Sequence, residues 1–99
     1  MLHILRHSPY SDSSLSDCLR AISPEHGLLL IEDAVYSLLP DTASRNALDQ
    51  LAESINLYAI ESDLFARGLT VDALPKRVKT IDYSSMVGLC LNHTKMISW

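Results

Sequence analysis

Residues 56–68 read Asn56-Leu57-Tyr58-Ala59-Ile60-Glu61-Ser62-Asp63-Leu64-Phe65-Ala66-Arg67-Gly68. The apolar run Leu57–Ile60 is bounded by polar residues on both sides, which is typical of a strand buried on both faces of a sheet. Ser62 or Asp63 is expected to cap a following helix, because either side chain can accept a hydrogen bond from a free N–H of the first turn. The pair Arg67-Gly68 predicts its end, with a cation at the negative pole and a residue that tolerates positive φ. A strand that leads directly into a helix is the repeating unit of an α/β fold.

Three further short segments, of which one is an unbroken apolar run, predict strands on either side of this stretch. They are Leu2–Leu5, Leu28–Ile31 and Val78–Ile81. Helical patterns separate the predicted strands, so we predict an α/β fold, a three-layer sandwich in which a mostly parallel sheet of about four strands has helices on both faces. The length of 99 residues predicts one domain, over residues 1–99, and excludes a second.

The first three helices are predicted from apolar residues at helical spacing and from the polar residues that flank them. Ser13 or Ser14 is suited to start the first helix. Its apolar face is expected on Leu15, Cys18, Leu19 and Ile22. Two helical pieces are expected between the second and third strands, one ended by Pro40 and one started by Ser44. The third strand is followed by the helix of the opening stretch.

The last helix follows the fourth strand and is expected to be capped by Ser84 or Ser85. Its apolar face is expected on Tyr83, Val87, Cys90 and Leu91. A polar segment then leads into Met96–Trp99, for which neither a helix nor a strand is predicted.

Composition and charge exclude several classes of protein. The net charge is -4, and the only basic cluster, at 76–79, lacks the interleaved aromatic rings of a nucleic-acid platform, so no direct contact with RNA or DNA is expected. The longest apolar run, Leu28–Ile31, is far below the ~18 residues that span a bilayer. No signal-peptide pattern is visible, so we expect a cytoplasmic protein without membrane contact. The apolar share of 47% is high for a small chain and suggests that other subunits cover part of its surface.

The motifs of nucleotide, hydrolytic and metal enzymes are missing. The three glycines, at positions 27, 68 and 88, are too far apart to form a dinucleotide-binding GxGxxG motif or a P-loop, and no GxSxG elbow marks a nucleophile. The histidines are scattered without a third ligand at a recognisable spacing, so neither a metal site nor a cofactor is expected. They are His3, His7, His26 and His93.

The two cysteines differ in their possible chemistry. Cys18 and Cys90 are 72 positions apart with no CxxC motif, so a structural disulfide is not expected in reducing cytosol. Cys18 lies near Arg20, and an ionised thiol at this position could carry sulfur as a persulfide. The alternative is an inert thiol, because Cys18 shares the apolar face of its predicted helix and a free cysteine often behaves as a small buried hydrophobe.

Two aromatic residues are candidates for contact with a partner. Trp99 must pack on some surface to be kept out of water, either on its own domain or on another subunit, since tryptophan is enriched at interface hot spots. Tyr83 follows a predicted strand and has the same two interpretations.

Several motifs, taken in their order and spacing, resemble the TusB/DsrH family of sulfur-relay subunits. They are Met1-Leu2-His3 with Ser8-Pro9, Leu28-Leu29-Leu30 ending in Glu32-Asp33, Leu57-Tyr58-Ala59, Asp63-Leu64, Ala66-Arg67-Gly68-Leu69, Ile81-Asp82-Tyr83 and the ending His93–Trp99. The resemblance spans the whole chain and implies a DsrE-like α/β fold.

The resemblance also implies partners and a function. It implies assembly with two related subunits, TusC and TusD (DsrF and DsrE), into a heterohexamer with two copies of each chain. The relay starts at a cysteine desulfurase and ends in 2-thiolation of the wobble uridine of certain transfer RNAs. In it, a cysteine of the TusD-like subunit receives persulfide sulfur from TusA and passes it to TusE. Cys18 matches the position at which DsrH members of sulfur oxidisers have a cysteine in the first helix.

We therefore predict a non-catalytic structural subunit of a cytoplasmic sulfurtransferase complex, with Tyr83 and Trp99 as candidate partner contacts. The alternative is a protein that itself carries a persulfide on Cys18, as in a DsrEFH-like complex of sulfur oxidation. A third interpretation, a small-molecule-binding module at the carboxyl edge of the sheet, depends on the fold class alone.

Overall fold

The computed structural model describes residues 1–99 and contains one five-stranded sheet. The strands are β1 (Leu2–Leu5), β2 (Gly27–Leu30), β3 (Asn56–Ile60), β4 (Val78–Ile81) and β5 (Met96–Ser98). They lie in the order β4-β3-β2-β1-β5, and every neighbouring pair is parallel. All four residues of the central strand β2 are buried, as its unbroken apolar run predicted.

Four α-helices and two 3₁₀ helices connect the strands. The α-helices are α1 (Ser14–Ala21), α2 (Ala43–Asp49), α3 (Glu61–Ala66) and α4 (Tyr83–Leu91). The 3₁₀ helices cover Glu32–Leu38 and Val71–Ala73. The predicted alternation of strands and helices is thus confirmed, although the first piece between β2 and β3 is wound as a 3₁₀ helix.

The two faces of the sheet are covered unequally. One face carries the larger core, to which α1, the first 3₁₀ helix, α2 and α3 all contribute buried side chains. The other face carries a core of three buried residues, Leu2, Leu29 and Ile60, and α4 is the helix that packs on it. Helices therefore lie on both faces, which confirms the three-layer prediction, but one layer is much thinner than the other.

The fifth strand was not predicted from the sequence. Residues 96–98 pair in parallel with β1, with Met96 opposite Leu2 and Ser98 opposite Ile4. Two backbone hydrogen bonds flank the pairing, from Leu2 N–H to the Lys95 carbonyl (3.0 Å) and from Trp99 N–H to the Ile4 carbonyl (2.9 Å). Three residues give no periodicity of their own, so only the approach of β1 makes this segment a strand.

The predicted caps of α3 and α4 were wrong by a few positions. Helix α3 starts at Glu61, directly after β3, and the Asp63 carboxylate accepts a hydrogen bond from Glu32 N–H (2.8 Å) instead of capping its own helix. Helix α4 is capped by Asp82, whose carboxylate accepts from Ser85 N–H at 2.7 Å. Gly68 follows α3 with a φ of 74°, so the predicted stop signal is confirmed.

Candidate subunit interface

Helix α4 is apolar around most of its circumference. Its nine residues, Tyr-Ser-Ser-Met-Val-Gly-Leu-Cys-Leu, include no charged side chain. Met86, Leu89 and Cys90 pack against the core of the thinner layer. The side of the helix that is turned to solvent also carries large apolar residues, which is unusual for a helix that covers the outside of a domain.

The outward side of α4 carries an apolar stripe that consists of Tyr83, Val87 and Leu91. These residues follow one another at intervals of four, so they share one side of the helix. Their exposed fractions are 56%, 54% and 80%. The predicted apolar face on Tyr83, Val87, Cys90 and Leu91 was therefore largely wrong, because only Cys90 of these four turns toward the sheet.

The sheet face under α4 is also only partly covered. A helix is about 10 Å across, whereas five strands spaced about 4.8 Å apart are about 19 Å wide, so one helix covers about half of the width. Ile4, Ile31 and Ile81 on this face are accordingly only partly buried. At the β5 edge Met96 is 51% exposed and lies on the same face as its register partner Leu2. The stripe, this edge and the open sheet surface together form a large apolar area of the kind that marks protein–protein contact.

Trp99 packs on its own domain. Its side chain lies against the larger core and its ring is nearly parallel to that of His3, with centroids 6.1 Å apart and an interplanar angle of 18°. The indole Nε1–H donates to His3 Nδ1 at 3.1 Å. Trp99 remains partly exposed, and its role as a partner contact stays a prediction. Tyr83, the other candidate contact, lies on the exposed stripe.

Cys18 lies in the larger core and has no exposed surface. Burial raises the pKa of its thiol to about 12, because the thiolate loses its hydration there. The thiol is therefore protonated at neutral pH and has no access to a sulfur donor in this conformation. Both cysteines are free, and Cys90 is partly buried between α4 and the sheet.

Two side chains of the basic cluster at 76–79 make contacts within the chain itself. The Arg77 guanidinium donates four hydrogen bonds, of 2.8 to 3.3 Å, to backbone carbonyls at the end of α2 and in the turn that follows it. Lys79 lies over the Tyr58 ring, with its Nζ 5.8 Å from the ring centroid. These side chains are committed to intramolecular contacts, so they do not present a phosphate-binding row.

The carboxyl edge of the sheet is held together by ion pairs. Arg67 Nε donates to Asp33 at 2.9 Å, and its Nη1 lies 3.6 Å from Asp63, so the guanidinium links α3 to the first 3₁₀ helix. A cavity of about 440 Å³ lies beside α3, and its seven lining residues are four apolar ones together with Glu61, Thr70 and Thr80. The residues around this cavity do not define a ligand class.

No group of three or more His, Cys, Asp or Glu side chains is arranged to hold a metal ion. None of the helices has the length and apolar character that a membrane span requires.

The sequence pattern missed part of this surface. Val87 and Leu91 were assigned to the buried side of α4, and Met96 was assigned to no element. A signal was present, because a nine-residue helix with no charged side chain and only two serines lacks the charged face that surface helices normally have. The pairing of His3 with Trp99 had no sequence signal.

Comparison with known proteins gives consistent similarities. A family model described as "DsrH like protein" matches residues 7–96. Two relatives are proteins named TusB, from Yersinia enterocolitica (serotype O:8, biotype 1B) and from Yersinia pestis (strain Pestoides F). Each is 33% identical to this chain over 99 residues, which is the full length of this chain and of each relative.

Solved structures show the same fold at lower identity. The ychN protein from E. coli aligns with a TM-score of 0.85 and 18% identity, over 99% of this chain and 97% of its own. The protein MTH1491 from Methanobacterium thermoautotrophicum aligns with a TM-score of 0.73 and 17% identity, over 99% and 96%. At these identities the likeness concerns the fold alone, and it places this chain with the DsrE-like α/β proteins.

Proposed function

This chain belongs to the TusB/DsrH family, and we propose that it is a non-catalytic structural subunit of a cytoplasmic sulfur-relay complex. The proposed partners are TusC-like and TusD-like subunits, assembled into a heterohexamer with two copies of each chain. TusA-like and TusE-like carriers are linked to it only through the TusD-like subunit. The proposed output is 2-thiolation of the wobble uridine of transfer RNA.

The observation that carries this proposal is the apolar stripe on α4. Tyr83, Val87 and Leu91 are each more than half exposed on a helix without charge. Full burial of such a side chain is worth about 1.5 to 3 kcal/mol, so a partner that covers these partly exposed residues would gain roughly 1 to 2 kcal/mol for each of them. A subunit of a permanent complex would gain this free energy at the interface, whereas a monomer would not.

The burial of Cys18 supports a structural role over a sulfur-carrying one. A persulfide carrier needs a thiolate that can reach its donor, but Cys18 is fully covered and its pKa is raised to about 12. The alternative, in which this chain carries sulfur on Cys18 as in a DsrEFH-like complex of sulfur oxidation, would require the core around α1 to open.

The charge distribution supports a chain that does not itself bind transfer RNA. The net charge is -4, and Arg77 is occupied by carbonyl groups of its own fold. Binding to a polyanion relies on exposed cations that displace its counterions, and this chain offers no cluster of them.

The proposal is tested by co-expression with the TusC-like and TusD-like subunits and by purification through a tag on this chain. Val87→Asp places a charge in the middle of the stripe, and we expect the amount of co-purified partner to fall at least about tenfold, because the carboxylate would have to be buried unpaired. Ser85→Asp is the matched control, since Ser85 is also exposed on α4 but lies about 160° around the helix from Val87. It should leave assembly unchanged.

Circular dichroism of the isolated variants checks that both remain folded. Recovery of the intact complex with Val87→Asp would show that α4 is not the contact surface. A wild-type chain that stays monomeric beside both partners would contradict the proposed assembly itself.

Mass spectrometry of the intact subunits distinguishes the structural role from the sulfur-carrying alternative. After the complex is supplied with a cysteine desulfurase, cysteine and the upstream carrier, the intact mass of each subunit shows where the sulfur resides. We expect it on the TusD-like chain, with no change in Cys18→Ser. Added sulfur on this chain that disappears in Cys18→Ser would make it a carrier.

A further inference from the structure

Three aromatic side chains form a hydrogen-bonded row where β5 meets the sheet. Trp99 Nε1–H donates to His3 Nδ1 at 3.1 Å, and His3 Nε2 lies 3.0 Å from His26 Nδ1. Ser23 N–H also donates to His26 Nδ1, at 3.2 Å. His3 is 1% exposed, so water cannot substitute for the partners of its ring.

The donors at the two ends of this row determine which nitrogen of each histidine ring carries a proton. The indole nitrogen and the backbone amide can only donate, so His3 Nδ1 and His26 Nδ1 must both be acceptors. His3 then carries its proton on Nε2 and donates it to His26 Nδ1. Both rings are neutral in this arrangement, and every polar atom of the buried His3 ring is paired.

No additional proton fits into this arrangement without breaking it. A proton on His3 Nδ1 would face the Trp99 Nε1–H, and a proton on His26 Nδ1 would face both the His3 Nε2–H and the Ser23 N–H. If the His3 proton moved from Nε2 to Nδ1, a proton on His26 Nδ1 would no longer face the His3 Nε2–H. The moved proton would then face the Trp99 Nε1–H, so the hydrogen bond to Trp99 would still be lost. Proton uptake by the pair therefore removes at least one hydrogen bond of the row.

We propose that Trp99, His3 and His26 form a proton-sensitive latch that holds strand β5 on the edge of the sheet. At neutral pH the latch is closed and the indole is bound to the buried imidazole. Uptake of a proton by the histidine pair opens the latch and releases β5 from β1. This property belongs to the chain itself and does not depend on the proposed assembly.

The surroundings of His3 favour its neutral form. Burial is the main cause that lowers its pKa, and the nearby His26 ring and the N-terminal amine of Met1 lower it further. Those two are the charged or titratable groups that act on it. Its register partners on the neighbouring strands, Leu28 and Ile97, carry no charge, and Trp99 takes up no proton.

Apart from the latch, strand β5 is held mainly by its backbone pairing with β1. It is three residues long, all three are exposed, and it pairs with β1 alone at the edge of the sheet. Short exposed edge segments open locally at low cost in free energy. The latch is thus the contact by which β5 reaches the larger core, because the Trp99 ring packs there.

The test uses the fluorescence of the full chain, in which Trp99 is the only tryptophan. Emission is excited where tyrosine does not absorb, while the pH is lowered from about 7.5 to about 4.5 across the histidine range. We expect Trp99 to lose its protection from acrylamide, with a midpoint below the unperturbed histidine value of about 6.5. Far-UV circular dichroism should keep the signal of the folded sheet and helices through this midpoint.

Two variants and one direct measurement complete the test. His3→Asn keeps an acceptor for the indole but cannot titrate, so the transition should disappear, whereas His7→Asn at an exposed histidine should leave it in place. Nitrogen NMR of the wild-type rings should find the proton of His3 on Nε2 and that of His26 on Nε2, whether or not His3→Asn folds. A flat acrylamide response, a transition that survives in folded His3→Asn, a transition that coincides with global unfolding, or the opposite tautomer of His3 would each overturn the proposal.

Discussion

At the scale of single residues, Arg77 shows how one side chain can supply the hydrogen bonds that several backbone carbonyls need. The Arg77 guanidinium donates hydrogen bonds to the carbonyl of Leu48 in the last turn of α2, where intrahelical partners are lacking, and to the carbonyls of residues 51, 52 and 55 in the segment that follows. The side chain reaches from the start of β4 to the segment between α2 and β3. It therefore fixes a connection that has no regular structure of its own.

We predict that Arg77→Lys destabilises the protein by about 2 kcal/mol, because an ammonium group cannot reach four carbonyls in a planar fork. This corresponds to a fall of roughly 8 °C in Tm for a chain of this size. Thermal unfolding followed by circular dichroism measures the change. Lys76→Gln at the exposed neighbouring position is the control and should leave Tm nearly unchanged. An Arg77→Lys protein as stable as the wild type would mean that water satisfies these carbonyls equally well.

Cys18 shows at the same scale how surroundings change the chemistry of a residue. Its neighbours in sequence, which include Arg20, suggested a thiol that could be ionised. In the fold Arg20 pairs with Asp17 at 2.6 Å on the exposed side of α1, and the thiol points into the core. Proximity in sequence to a cation therefore says little about the pKa of a helical cysteine unless both residues share one side of the helix.

At the scale of elements, α4 shows why an apolar helix can be placed in two ways. One set of apolar positions, 83, 87 and 91, and another, 86, 89 and 90, lie on different sides of the same nine residues. Both sets fit helical spacing. The side that faces the sheet is decided by how the chain leaves β4 through the Asp82 cap and returns to β5.

We predict that truncation of two leucines of α4 destabilises the isolated chain to different extents. Leu89→Ala should destabilise it by about 1 to 2 kcal/mol, because the side chain packs on the sheet while being only partly buried. Leu91→Ala should change stability by less than about 0.5 kcal/mol, because the side chain is 80% exposed. Urea unfolding measures both. Equal effects, or a larger effect of Leu91→Ala, would mean that α4 is rotated about its axis relative to this structure.

At the scale of the whole molecule, the unequal coverage of the sheet is the feature that links fold to function. Four helical elements bury one face, and a single apolar helix covers part of the other. A sheet of this kind is normally sealed on both sides by helices. The unsealed layer is the physical reason to expect neighbouring subunits there.

We predict that stability is greatest near neutral pH and falls in two steps on acidification. His3 has a lowered pKa in the folded state, so the unfolded chain binds more protons just below pH 6.5, and its contribution is lost as the pH falls from there through the folded pKa. The Asp82 pKa is held below its ordinary 3.8 by hydrogen bonds from Ser85, so its contribution is present above that value and is lost as the pH falls below it.

The urea midpoint measured at a series of pH values checks this profile. Asp82→Asn keeps an acceptor at the cap but does not titrate, so it should reduce the lower step and leave the upper step in place. A midpoint that rises as the pH falls from neutral to about 5 would contradict the sign of the His3 contribution.

Sequence alone determined the features that are written within one element. Leu57–Ile60 indicated a strand through consecutive apolar residues, and Leu2–Leu5 and Val78–Ile81 indicated strands as short segments with apolar residues at both ends. Gly68 indicated the end of a helix, because its φ of 74° suits glycine. The regular alternation of strand and helix was then enough to predict a largely parallel sheet in three layers.

Only the tertiary structure decided the features that depend on partners far away in the chain. The strand at Met96–Ser98 exists because β1 lies beside it, and Trp99 meets His3 across 96 positions of sequence. The same is true of the buried thiol of Cys18 and of the exposed stripe on α4. The sequence pattern shows which positions of a helix are apolar. When two sides of the helix are apolar, the side that becomes covered depends on the surfaces that the rest of the fold brings to it.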